Sequence, residues 1–285
     1  MQIKIIECPR DAMQGLHEFI PTEAKIAYIN ALLRVGFDTI DFGSFVSPKA
    51  IPQLKDTAKV LSKLELGDTK TKLLAIIANL RGAKEAILHP EITYLGFPFS
   101  ISETFQKRNT NKSIQEAFET LKQIQDLCVA EKKELVVYIT MAFGNPYGDE
   151  RSVESIVQSV EQLKAIGVKI ISMSDTVGVG NPESIGEVFG KIVPAFPDIE
   201  FGLHLHTTPD TYYNKIDAAY TNGCRRFDSV MLGLGGCPMS ARELVGNLST
   251  ESLLTYFESK KIEVSLDPTL YQKALWKAQQ TFPFV

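Results

Sequence analysis

Residues 199–206 read IEFGLHLH and run on into Thr207-Thr208-Pro209-Asp210. This short stretch holds two of the four histidines in the 285-residue chain. In an extended strand successive side chains point to opposite faces. Gly202, His204 and His206 therefore share one face, while Phe201, Leu203 and Leu205 share the other. Two neighbouring imidazoles on one face read either as hydrogen-bonded core groups or as metal ligands. The strand alone leaves both readings open.

Seven other runs have the same short apolar or alternating character: IKIIEC, FDTIDFG, KLLAIIA, ITYLGFPF, LVVYITMAF, KIISMSD and RFDSVML. Helix-period stretches follow most of them. Residues 113–133, SIQEAFETLKQIQDLCVAEKK, carry apolar residues at three- and four-residue spacing, as an amphipathic helix should. Ser47-Pro48 and Asn181-Pro182 each pair a capping side chain with proline at the first helical position. The unit after KLLAIIA is short and has the weakest helix. Strands alternating with helices imply parallel pairing through right-handed crossovers. Eight such units in this length predict a single (β/α)8 TIM barrel spanning 1–285, with no Pro/Gly/Ser-rich linker to divide it. An open doubly wound sheet is the alternative, but no G-x-G-x-x-G follows the first run.

Composition narrows the function classes. A hydrophobic content of 44% supplies a large core, and a net charge of −4 with no basic block argues against nucleic acid as a partner. Cys8, Cys128, Cys224 and Cys237 are scattered without a C-x-x-C pair, which points to a reducing compartment. The chain enters its first strand directly, and no apolar span of about 20 residues follows, so a cytoplasmic protein away from membranes is expected.

In a barrel of this kind the loops at the C-terminal strand ends converge on the mouth, where chemistry is done. Arg10 and Asp11 follow the first strand, Asp41 ends the second, and Asn79 follows the third. Asp175 ends the sixth, His204 and His206 end the seventh, and GLGGCP after the eighth delivers Cys237. Two imidazoles projecting inward near Asp11 suit a divalent cation completed by oxygen, with Mg2+ or Mn2+ favoured. A closed zinc site would recruit several thiolates at tight spacing.

With those residues placed, the chain resembles the 3-hydroxy-3-methylglutaryl-CoA lyases of the DRE-TIM metallolyase group. The resemblance spans nearly the whole sequence. It rests on PRDAMQG (9–15), SFVSPKAIPQ (44–53), SDTVGVGNP (174–182), HLH (204–206), GLGGCP (233–238) and GNLSTE (246–251). It implies that Asp11, His204, His206 and Asn247 hold the metal, and that Arg10 neutralises charge on a thioester oxygen. It further implies acidic residues of the catalytic pocket at Asp41 and Asp175, a catalytic role for His204, and proton transfer by Cys237. The substrate implied is an acyl-CoA, and the assembly a homodimer.

Plainer readings stand beside these. Arg10–Asp11 could form a loop ion pair, Asp41 and Asp175 could bond backbone, Cys237 could be an inert thiol, and Asn247 could start the helix after LSTE. The chain also departs from the family pattern. Asp41 stands where glutamate is usual, and Ile6 where an acidic residue is usual, with Glu7 next to it. Thr207 replaces the aspartate after H-x-H, and no lysine follows in GLHEFIP. CPMSARELVGN is one residue longer and carries Arg242, Glu243 and Leu244. Two other functions fit the same residues: condensation of acetyl-CoA with a 2-oxo acid, or a barrel that keeps its metal without turnover.

Overall fold

The structure, a computed structural model, describes residues 2–236 and 245–282. Eight parallel strands close on themselves in sequence order: β1 (Lys4–Glu7), β2 (Thr39–Ser44), β3 (Lys72–Ile76), β4 (Ile92–Ser100), β5 (Glu134–Thr140), β6 (Ile170–Asp175), β7 (Glu200–Leu205) and β8 (Arg226–Ser229). Closure is made by β8 pairing with β1, Asp228 beside Ile6. The barrel expected from the eight runs is present, and no sheet edge is left open among the described residues.

Helices wrap the outside: α1 (Pro9–Gln14), α2 (Thr22–Leu33), α3 (Thr57–Leu61), α4 (Leu80–Ala86), α5 (Glu103–Thr110), α6 (Ile114–Ala130), α7 (Val153–Ala165), α8 (Pro182–Ala195), α9 (Tyr212–Thr221), α10 (Thr250–Ser259) and α11 (Pro268–Thr281). None of them is long and apolar enough to cross a membrane. Period two divides each strand between two environments. Outward residues such as Ile5, Ile40, Leu73, Val137, Leu203 and Phe227 pack into the layer between sheet and helices. Inward residues Leu74, Tyr94, Val136, Tyr138 and Ile170 form a separate cluster on the barrel axis. At the N-terminal end the axis is closed by charge: Glu200 pairs with Lys4 at 2.5 Å and with Arg226 at 3.1 Å.

Local signals place most helix starts. Asn181 accepts from the Ser184 amide with Pro182 at the first position of α8, as its sequence indicates. Ser113 and Glu116 form a reciprocal cap at the start of α6. Ser47-Pro48 is a correction: it opens a turn over residues 48–50, not a helix. Pro52 follows too closely, forcing Ile51 out of the helical region (φ −130°, ψ 80°) and removing an amide, so regular helix begins only at Thr57. The run LVVYITMAF is also shorter as a strand, because Met141 adopts φ 61°, which ends β5 at Thr140. Cys8, Cys128 and Cys224 are buried thiols with no disulfide.

Glu7 faces outward from β1 into the helical layer and is fully buried. The Met231 amide donates to its Oε1 at 2.7 Å, and Thr250 Oγ1 lies 2.6 Å from its Oε2. Thr250 Oγ1 also lies 2.9 Å from Ser229 Oγ. Burial pushes the Glu7 carboxyl up to about 8, against the opposing effect of those two bonds. A protonated Glu7 donates to Thr250, which then donates its single proton to Ser229. With the folded value raised above the ordinary 4.5, this group's contribution to stability is complete at acid pH and lost as pH rises through about 8. Glu7→Gln copies the protonated form. Thermal melts at pH 5.5 and pH 9 are expected to show wild type losing on the order of a few kcal/mol relative to Glu7→Gln at the higher pH. Parallel curves for the two proteins would refute the assignment.

Candidate metal centre and active site

The chain turns sharply at the C-terminal end of β1. Cys8 precedes Pro9 at the first position of α1, and this six-residue helix carries Arg10 and Asp11 in its first turn, both buried. β7 brings His204 and His206 to the same rim. A third element arrives from after β8. Residues 245–249 are laid against the end of β7, with the Thr207 amide donating to Gly246 O and the Leu248 amide to Leu205 O, both at 2.9 Å. This puts Asn247 directly across from His206. Gly235 passes over Asp11 so closely that a Cβ there would stand 2.5 Å from the Asp11 carbonyl oxygen, at φ +81°. Only glycine fits that approach.

One atom each from Asp11, His204 and His206 lie within 4.8 Å of one another. The ring nitrogens used for orientation are fixed by their acceptors. His206 Nδ1 lies 2.7 Å from the Asp175 carbonyl oxygen, which can only accept, so Nδ1 carries the hydrogen and Nε2 a lone pair. That Nε2 is buried without a partner among the described residues, and so is Asn247 Oδ1, whose amide nitrogen donates to Leu234 O at 2.8 Å. His204 Nδ1 lies 3.2 Å from Asp228 Oδ2, leaving its Nε2 towards Asp11 Oδ2 at 3.4 Å. With His204 neutral, two imidazole lone pairs and a carboxylate oxygen meet with no proton donor among them, and Asn247, its Oδ1 unpartnered, lies across from His206. A divalent cation fits this set; a structural pair of histidines would have satisfied both rings. The helix-start reading of Asn247 does not hold either, since Ser249 caps α10 through the Ser252 amide.

The electrostatics agree. Burial opposes ionisation of Asp11, but Arg10 and His204 hold its carboxyl well below the usual range. Burial also opposes charge on His204, yet its contacts with Asp11 and Asp228 raise it to about 10. His206 is lowered, first by burial and then by the charge on His204.

Arg10 is gripped on both sides. Its Nε and Nη2 donate to Asp41 Oδ2 at 3.0 and 2.5 Å, and its Nη1 to Gln14 Oε1 at 2.8 Å and Asp11 Oδ1 at 3.2 Å. Gln14 donates to the same Asp11 oxygen at 2.7 Å. Despite burial, Asp41 and Asp11 hold the guanidinium above its ordinary value. Burial raises Asp41 to about 6 against the pull of Arg10.

These groups open onto a cavity of about 420 Å³. Its lining joins the polar Arg10, Asp11, His204 and His206, with Asn109 and Thr110, to apolar Val46, Ile51, Ile76 and Phe105. Asp41 and Asp175 do not line it. Asp41 stands behind Arg10, and the Asp175 carboxylate is taken up by the Gly180 amide at 2.9 Å and Lys215 Nζ at 3.2 Å. Cys237 lies outside the described residues, as do Arg242, Glu243 and Leu244. Glu7 does not stand in for the acid absent at Ile6: the two face opposite sides of β1. Thr207 turns to Thr211, hydroxyl to hydroxyl at 2.9 Å.

Asp228, Gln14 and Tyr138 were not singled out from sequence. Gln14 could have been, since it falls three and four residues after Asp11 and Arg10 on one helix. So could Asp228, by its parity with Arg226 in the eighth run.

Comparison with known proteins bears on the whole assembly. The HMGL-like family model matches residues 2–281. The hydroxymethylglutaryl-CoA lyase YngG of Bacillus subtilis is 34% identical over 90% of this chain and 85% of its own length. The mitochondrial hydroxymethylglutaryl-CoA lyase of Mus musculus is 31% identical over 89% of this chain and 77% of its own. Among solved structures, the HMG-CoA lyase of Bacillus subtilis superposes with a TM-score of 0.92 at 30% identity, covering 99% of this chain and 94% of that one. That of Acinetobacter baumannii, in complex with coenzyme A and 3-methylmalate, gives 0.91 at 29%, covering 99% and 92%. Closed barrel, converging ligand atoms and near full-length similarity lead to one assignment: the chain belongs to the HMGL-like family.

Proposed function

We propose that this chain is a carbon–carbon lyase that cleaves 3-hydroxy-3-methylglutaryl-CoA, or a closely related 3-hydroxyacyl-CoA, to acetyl-CoA and a keto acid, acetoacetate in the first case. The observation that carries this reading is the meeting of ligand atoms from Asp11, His204 and His206 within 4.8 Å of one another beside Arg10, with the unpartnered Oδ1 of Asn247 carried by the segment across from His206. These four residues would hold Mg2+ or Mn2+. Bound there, the cation would supply Lewis acidity towards the substrate's 3-hydroxyl and an adjacent oxygen.

The residues account for the rest. Breaking the C2–C3 bond sends its electron pair to C2 as a thioester enolate, while the 3-hydroxyl loses its proton and becomes the new ketone. That proton leaves to water through the open cavity, because the lone pairs of Asp11, His204 and His206 are the ones that would hold the cation. Arg10 meets the developing enolate oxygen. Its guanidinium is already fixed by Asp41 and Gln14, so no reorganisation accompanies the step. Asp41 acts through Arg10, as a positioning residue. Asp175 acts through its carbonyl, which orients His206, and through its carboxylate, which ties the loop at Gly180. Cys237, by the family resemblance, returns a proton to C2. The apolar lining suits the acyl chain and the arm of coenzyme A. Buried thiols without a disulfide support a reducing, cytoplasmic setting, and a homodimer rests on the resemblance alone.

Purified protein supplied with Mn2+ or Mg2+ and the thioester is expected to release acetyl-CoA, followed by coupled assay. Chelation should abolish this and re-addition of metal restore it. Asp11→Asn should reduce turnover to background. Arg10→Met, folded and metal-loaded, should lower kcat by about 10²–10³-fold, the scale for removing one fixed donor to an oxyanion. Metal-loaded wild type with no turnover across a panel of 3-hydroxyacyl thioesters would overturn the proposal.

A further inference from the structure

We propose that Asp228 is the positioning residue for His204, held in place from beneath by the buried guanidinium of Arg226 through ordered water. A column of charge then rises inside the barrel from Glu200 to the metal centre. This inference rests on the reading of Asp11, His204 and His206 as cation ligands.

Strand register makes the column. β8 points Arg226 and Asp228 inward, and pairs Arg226 with Gly202 and Asp228 with His204 of β7. Asp228 is 2% exposed, and its Oδ2 lies 3.2 Å from His204 Nδ1. A carboxylate there can only accept, so it fixes the tautomer that turns Nε2 towards Asp11. The other oxygen, Oδ1, has no partner among the described residues. One layer below, Arg226 donates from Nη1 to Glu200 at 3.1 Å and stands 3.7 Å from Asp38. Its Nε and Nη2 have no hydrogen-bond partner among the described residues, although the residue is 1% exposed and its guanidinium lies 5.7 Å from the Tyr94 ring centre.

Two buried donors and one buried acceptor left open in adjacent layers call for a bridge. Ser172 Oγ, also open, belongs to the same layer, since Ser172 pairs with Gly202. Gly202 keeps a side chain out of this layer. A Cβ there would stand 3.1 Å from Ser172 Oγ and 3.2 Å from Arg226 Cδ. The layer is polar and offers several hydrogen-bonding partners, as a buried water requires.

The two metal histidines are therefore oriented by different means. His206 leans on the dipole of a backbone carbonyl, whereas His204 leans on a full negative charge backed by a cation. An imidazole hydrogen-bonded to a carboxylate is the better-oriented and more basic ligand, and removing such a partner commonly weakens metal binding by about 10–100-fold.

The test is calorimetric titration of Mn2+ into the full-length, metal-free protein, with 15N NMR of the histidine rings in the Mg2+-loaded protein. Asp228→Asn keeps size and polarity but removes the charge. It should weaken Mn2+ binding by about 10–100-fold and move His204 away from the Nδ1–H tautomer. A merely structural role would lower the melting midpoint while leaving the His204 tautomer and the Mn2+ affinity of the folded protein unchanged. Arg226→Met, which also serves if Asp228→Asn does not fold, should weaken Mn2+ several-fold and leave the His206 tautomer unchanged. Wild-type affinity and an unchanged His204 tautomer in either variant would overturn the proposal while leaving the metal site standing. A wild-type protein that binds no Mn2+ would remove the ligand reading, and this inference with it.

Discussion

A polar side chain that points into a closed barrel has no bulk water to turn to. Its hydrogen bonds must be met on the axis, or its burial is unfavourable by an amount comparable to a lost hydrogen bond or more. The architecture of the site follows from that constraint. His204 and His206 enter the axis because period two puts them there, and each spends Nδ1 on a fixed acceptor, Asp228 or the Asp175 carbonyl. Both Nε2 lone pairs are then directed at the same place as the Asp11 carboxylate, which α1 holds at the end of β1. Nothing in this set can donate a proton to the others once both rings are neutral. That is the chemical signature of a cation site.

The barrel divides its circumference between two tasks. From β3 to β6 the axis is filled by Leu74, Tyr94, Val136, Tyr138 and Ile170, which pack as an ordinary core. From β7 through β1 it carries charge, from Glu200, Lys4 and Arg226 at the closed end to Asp228, His204 and Asp11 at the mouth. The apolar half keeps strand register, and register aims the polar half. Arg10 shows the same economy outside the axis. Asp41 on the next strand and Gln14 on the same helix fix its guanidinium before any substrate arrives.

The sequence is legible where chemistry follows parity. H-x-H in a strand dictates a shared face, and polar residues at the ends of successive strands dictate a shared rim, so Asp11, His204 and His206 can be brought together on paper. Helix starts with a side-chain cap and a following proline are legible too, as at Asn181-Pro182. The same dipeptide logic fails at Ser47-Pro48, where a second proline four residues on interrupts the helix. Side-chain direction at strand ends is harder to read. Asp175 ends its strand as expected, yet its carboxylate turns to Lys215 and Gly180 while its carbonyl serves the site. Asp41 is in the right neighbourhood, one side chain removed from the cavity. Asn247 is reached only because residues 245–249 fold back along β7, a contact between segments about 40 positions apart that no local pattern encodes.

The whole site turns on whether one divalent cation is gripped by Asp11, His204, His206 and Asn247. Anomalous diffraction from crystals soaked in Mn2+ addresses it directly. A single strong peak is expected within bonding distance of an Asp11 carboxylate oxygen, both Nε2 atoms and Asn247 Oδ1. A peak elsewhere, or density that leaves either imidazole nitrogen out of the coordination sphere, would contradict it.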